Sequence, residues 1–179
     1  VKVEACPNKL APTSSTTVQM AIGDALAVCL MELNNFKDQD FAKFHPGGAL
    51  GKQLYLRVSE LSALNEKPYV FENTSIKEAI IQISQKGLGA VAVLNEANQL
   101  TGIITYGDIR RMLEKHSDLS ALKAQDIMNA KPKIIQSETL AVEALGVMRA
   151  NNISQLVVMH NQAYEGMIHI HDLIREGII

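Results

Sequence analysis

Tryptophan is absent from the 179-residue chain, and only four phenylalanines and four tyrosines supply large aromatic rings. Nucleic-acid surfaces combine such rings with clustered basic residues. Here 17 Lys and Arg stand against 19 Asp and Glu, giving a formal net charge of -2, and the basic residues are scattered, so composition argues against a nucleic-acid partner. Cysteine is as scarce. Cys6 and Cys29 lack metal-site spacing and read as free, buried thiols at a strand end and on an apolar helix face, as in a reducing cytosol. The longest apolar run, Ala25 to Met31, lies between Asp24 and Glu32. It is shorter than the roughly 20 residues of a membrane span, so neither a span nor a secretory signal is expected. Low charge does not mean disorder: 47% hydrophobic and 20% charged residues describe a chain with a core, long enough for one ordinary domain and part of another. The opening Val1-Lys2-Val3 alternates like a strand already under way, the expectation for a piece of a longer protein.

An internal duplication with a period of about 65 residues sets Thr74 to Asp108 beside Thr139 to Asp172. In each copy a Thr leads into a helix, over residues 75–83 and 140–148, with apolar positions Ile76, Ile80 and Ile83, then Leu140, Ala144 and Val147, at helical spacing. Ser75 and Glu78 fit a capping box. A turn precedes a short apolar strand, residues 90–94 or 155–159, and polar turns (95–99; 160–165) lead to a second strand, 100–105 or 166–170. Each copy closes with Asp and a short amphipathic helix, so its order is strand, helix, strand, strand, helix. Met112, Met128, Met148, Met159 and Met167 read as core filler.

The junction Gly102 to Asp108 has the form G-h-h-T-x-x-D (h, apolar), and Gly166 to Asp172 is a relaxed version. With the element order, this resembles a tandem pair of CBS domains over about residues 54 to 179. The resemblance implies two copies packed in pseudo-twofold fashion, with clefts that hold a nucleotide or sugar nucleotide. Thr105 and Asp108 would then meet a ribose, Thr74 or Thr139 a phosphate at a helix N-terminus, and Asp126 and Asp172 complete the candidate set. Asp108 and Asp172 also open helices, where a carboxylate stabilises free N–H groups without any ligand. The second copy places His169 where the first has Thr105, which favours the first copy's Asp for binding. His169 and His171 have the alternate spacing of metal ligands, but no third ligand is nearby in sequence and no metal site is assigned.

Residues 1 to 53 are organised differently. Residues 1–5 read as the end of a strand. Thr13 to Thr17 suits either N-capping or phosphate at a helix N-terminus. A helix follows with Val18, Ile22, Leu26, Cys29, Leu30 and Leu33 on one stripe and Asn34-Asn35 as its stop. In His45-Pro46-Gly47-Gly48-Ala49-Leu50-Gly51-Lys52 the glycines suggest a phosphate loop, yet Pro46 stands where the P-loop pattern needs its first Gly and Gln53 follows the lysine. Pro46 biases His45 towards extended backbone, and the glycines permit close approach, so the turn is a rigid mount for one imidazole.

Glu4-Ala5-Cys6-Pro7, then Leu10 to Thr17, Gly23-Asp24-Ala25-Leu26-Ala27, and Asp40 to Leu54, ahead of the repeats, closely resemble the arabinose 5-phosphate isomerases. These cytoplasmic enzymes join a sugar isomerase (SIS) domain, a parallel α/β layer, to a CBS pair. The resemblance implies a mixed α/β (α+β) chain: a C-terminal SIS remnant over residues 1–53, CBS repeats over 54–117 and 118–179, and Glu4 and His45 as the catalytic residues retained from an active site that lies mostly upstream. It implies a phosphosugar substrate, no cofactor and a tetramer of the intact protein. The alternative is a regulatory binding module in which residues 1–53 are only an oligomerisation arm.

Overall fold

The computed structural model describes residues 1–44, 48–116 and 118–179, which fall into two units, Val1–Pro46 and Gly47–Ile179. In the first unit, residues 1–5 are irregular rather than a strand end. Strand N–H and C=O groups need a neighbouring strand, and no strand occurs among the described residues before 45. The hydroxyl-rich cluster does start a helix, α1 (Ser14–Leu33). It stops at Asn34, whose backbone N–H and side-chain amide both donate to Leu30 O at 3.0 and 2.8 Å. The apolar stripe expected to be buried is exposed from Val18 to Leu33. Cys29 is exposed with it and Cys6 is only half-buried, so neither is the buried thiol expected. Apolar residues occupy all sides of α1, so the helix presents no single stripe that one neighbour could cover. α1 is also longer than its uninterrupted apolar run, and by length and composition alone it could cross a membrane. Interior helices of larger domains meet the same test. α2 (Asp38–Phe44) follows.

The second unit opens with α3 (Ala49–Tyr55) and α4 (Val58–Ser62). Two three-stranded sheets follow: β1 (Tyr69–Phe71), β2 (Ala90–Leu94) and β3 (Leu100–Thr105), then β4 (Ile134–Gln136), β5 (Gln155–His160) and β6 (Ala163–His169). In both, the central strand is parallel to the first and antiparallel to the third. The parallel pairs need a helical crossover, supplied by α5 (Ile76–Lys86) and α8 (Ala141–Asn151). Ser75 Oγ accepts from Glu78 N–H at 3.3 Å to start α5, and Gly87 ends it at φ 71°, a conformation glycine adopts without Cβ strain. α6 (Tyr106–Lys115) and α9 (Ile170–Arg175) close the copies.

Two details depart from the periodicity. β6 begins at Ala163 because Asn161, at φ 55°, makes a tight turn that leaves His160 paired with Ala163. The buried face of α8 is Ala141, Ala144, Leu145 and Met148 rather than Leu140, Ala144 and Val147; a helix this apolar on all sides leaves its register to packing. Met112, Met148, Met159 and Met167 are buried, and Met128 packs against the first core.

A short helix is exchanged between the copies. α4 precedes the first sheet, yet Leu56, Val58 and Leu61 lie in the core with Ile135, Leu156, Ile168 and Leu173. α7 (Ala124–Ile127) precedes the second sheet's crossover, yet Ala124 lies in the core with Val70, Ile83, Val91 and Ile104. The bonds repeat in pseudo-twofold fashion: Val58 N–H donates to Thr139 O and Ala124 N–H to Thr74 O, both at 2.9 Å. A third apolar cluster, including Ala90, Ile103, Val157 and Met167, joins the two sheets.

Candidate functional site

The two strand-to-helix junctions are built alike and partnered differently. At the first, Thr105 N-caps α6. Asp108 Oδ2 accepts from Thr105 N–H at 2.8 Å and from its hydroxyl at 2.6 Å, while Arg111 reaches Oδ1 at 2.6 Å. This is the capping arrangement that suffices without a ligand. Gly102 lets Met128 and Asn129 pack close beside it: a Cβ there would stand 2.6 Å from Met128 Sδ and 3.0 Å from Asn129 O, and the Met128 side chain would have to shift.

At the second junction His169 replaces Thr105, and its Nδ1 accepts from His171 N–H at 3.2 Å. Accepting requires the neutral ring, and burial, followed by the nearby His171, holds the His169 pKa below its usual value. The two imidazoles meet edge-on with centroids 4.5 Å apart. Asp172 is buried; its Oδ2 accepts from His169 N–H at 2.8 Å and from Asn65 Nδ2 at 2.7 Å, and its Oδ1 from Arg175 at 3.2 Å. Asn65 also donates to Met167 O at 3.2 Å. Asp172 is therefore tied into the protein on both oxygens by three partners from two segments.

Between the copies lies a cleft of about 190 Å³ lined by Ile103 and Thr105 on one side, Asn151, Ile153 and Gln155 on the other, and Asn129, Lys131, Pro132 and Lys133 along the edge. Among the described residues neither Lys131 nor Lys133 has an ion-pair partner. Thr105 is the one predicted ligand residue in this cleft. Asp108 and Asp126 share a different cavity of about 200 Å³ with Arg111, Lys115 and His116. Thr74 lines a third with Lys67 and Lys86, its Oγ1 accepting from Phe71 N–H at 3.0 Å. Thr139 binds α4 through its carbonyl. The lysines and asparagines of the cleft were not singled out from sequence, although Asn-x-Lys-Pro occurs twice, at 65–68 and 129–132.

In the first unit Glu4 reaches the start of α1. Its Oε2 accepts from Thr13 N–H at 2.8 Å, the Thr13 hydroxyl at 3.1 Å and Ser15 N–H at 3.2 Å, while Ala5 N–H donates to Thr13 Oγ1 at 2.8 Å. Hydrogen bonds from Ser15 and Thr13 lower the Glu4 pKa from 4.5 to about 2. As pH falls from 4.5 the unfolded chain protonates first, so the stability this clasp contributes shrinks and is gone below about 2. NMR titration of the Thr13 and Ser15 amides should show one transition near pH 2; a midpoint near 4.5 would rule the clasp out. His45 lies outside the described residues.

A family model for the CBS domain matches residues 58–115 and 124–178, both junctions and the cleft between them included. The chain belongs to the CBS domain family. Its CBS pair superposes on a CBS domain protein of Pyrobaculum aerophilum complexed with AMP, with a TM-score of 0.59 and 25% identity over 66% of this chain and 90% of that one. Over its whole length the chain is similar to arabinose 5-phosphate isomerase KdsD: 43% identical to that of Pseudomonas aeruginosa over 98% of this chain, and 38% identical to that of Escherichia coli K12 over 100% of it. It spans about half the length of these curated relatives, 55% in both cases.

Proposed function

We propose that this chain is the sensor-bearing part of a cytoplasmic phosphosugar isomerase that interconverts D-ribulose 5-phosphate and D-arabinose 5-phosphate, supplying Kdo for surface polysaccharide. The observation that carries this reading is the 43% identity to an arabinose 5-phosphate isomerase along 98% of the chain, residues 1–53 as well as the CBS pair. Residues 1–53 are then the end of an SIS domain, and α1 is an interior or subunit-contact helix of the intact tetramer.

Aldose–ketose isomerisation removes a proton from C1 of the ketose, returns one to C2, and moves a hydroxyl proton between O2 and O1 through an enediol. A carboxylate whose pKa is about 2 is ionised at neutral pH, so Glu4 can accept a proton but not donate one, and as a base it must shed some of the Thr13 and Ser15 hydrogen bonds that weaken it. The donor must titrate nearer neutrality, the property of an imidazole, and His45 takes that role. In the intact protein Glu4→Gln and His45→Ala should each lower kcat by about 100-fold or more in a ribulose 5-phosphate assay. Unchanged turnover in either removes that residue from the mechanism.

The CBS pair binds a nucleotide or sugar nucleotide in the first cleft. Support comes from two unpaired ammonium groups for phosphate, apolar Ile103, Pro132 and Ile153 for a base, and Thr105 for a hydroxyl; the AMP complex of the Pyrobaculum protein supplies the probe. AMP at about 100 times its Kd should stabilise the chain by about 2.7 kcal/mol in a thermal-shift assay. Reversing Lys131 and Lys133 to Glu should weaken that response at least about tenfold in apparent Kd. A flat response to AMP and sugar nucleotides at millimolar concentration would refute the sensor assignment.

A further inference from the structure

The first cleft and the segment that follows His45 meet at opposite ends of one helix. α8 spans Ala141–Asn151, about 16 Å at 1.5 Å per residue. At its C-terminal end Asn151 lines the cleft, with Ile153 and Gln155 just beyond. At its N-terminal end the Ala141 N–H donates to Leu56 O at 2.8 Å. Leu56, directly after α3, is buried in one core with Ala141, Ala144, Leu145 and Met148. α3 has a second anchor in Lys52 Nζ, 2.8 Å from Glu176 Oε2 just past α9, with both side chains mostly covered. Their hydrogen bond raises the Lys52 pKa and lowers that of Glu176. Neighbouring Ile178 is buried in the same core, so the C-terminal segment holding Glu176 is itself fixed. In sequence α3 starts four residues after His45.

We infer that α8 and the Lys52–Glu176 pair form a joint through which occupancy of the first CBS cleft controls how firmly α3 is held. A close-packed helix moves as a body rather than deforming smoothly. A ligand that prefers one position of α8 against Ile103 and Thr105 therefore imposes that preference on Leu56, and the coupling is reciprocal. Leu56 holds the end of α3 through its backbone bond and its buried side chain, and the pair adds an attachment about one helical turn earlier that helps to fix the direction of the helix. The inference rests on the nucleotide reading of the cleft.

Hydrogen exchange of the 179-residue chain with and without saturating AMP tests it. AMP should slow exchange at residues 103–109, which reports occupancy, and should slow the amides of residues 52–56 by about fivefold. Glu176→Gln and Lys52→Met should keep the first response and lose the second, and the reversed pair Lys52→Glu with Glu176→Lys should restore it. Protection confined to 103–109, or a response at 52–56 that survives Glu176→Gln, overturns the joint and leaves the cleft assignment standing. If AMP protects neither region, both fall.

Discussion

Alanine at Asp172 should destabilise the second unit by about 3 kcal/mol, the cost of stranding buried donors that face a lost carboxylate. Asp172 is 4% exposed. Its oxygens take bonds from His169 N–H, Asn65 Nδ2 and Arg175, and none of these donors has another carboxylate within reach in the described bonds. Asn65 lies 107 residues away in sequence, so the substitution also cuts a tie between the segment after α4 and the second junction. Asp108→Ala is the control. Among the described residues its carboxylate bonds Thr105 and Arg111 at its own helix start, the N3 half of a capping box whose loss costs about 1 kcal/mol. Urea denaturation of the two variants should separate them by about 2 kcal/mol. Equal losses would mean that the Asn65 tie contributes nothing.

Leu61→Ala should cost about 3 kcal/mol, within the range for emptying a leucine site, and the damage should appear in the repeat to which Leu61 does not belong in sequence. Leu61 is 1% exposed and packs in the core with Leu156, Ile168 and Leu173. Residue-resolved hydrogen exchange should show β5 and β6 opening first, with β2 keeping its protection at denaturant concentrations that expose them. Loss of protection in β2 at the same concentration would show that the two cores unfold as one, and earlier opening of β2 would contradict the helix exchange.

The duplication was legible because it rests on local signals. Alternating apolar strands, glycine at Gly87 and the Thr-x-x-Asp cap of α6 are each decided within a few residues, and β2 and β3 occupy the expected positions. The face of α8 was not legible, since apolar side chains surround it and only the partner surface selects Ala141 and Leu145 over Val147. The strand expected at residues 1–5 failed for a related reason: alternation marks a strand only when a neighbour completes its hydrogen bonds.

What the amino-acid order determined by itself is the tandem CBS pair, the caps of its helices and the two junction motifs, all of short range. Only the tertiary structure decided that α4 and α7 trade cores, that Asp172 is bound by a side chain 107 residues distant, and that Thr105 shares its cleft with Lys131 and Lys133 rather than with Asp108. Local motifs fix the direction of a backbone, whereas a cleft is formed by side chains from segments that only packing brings together, and no sequence period records that meeting.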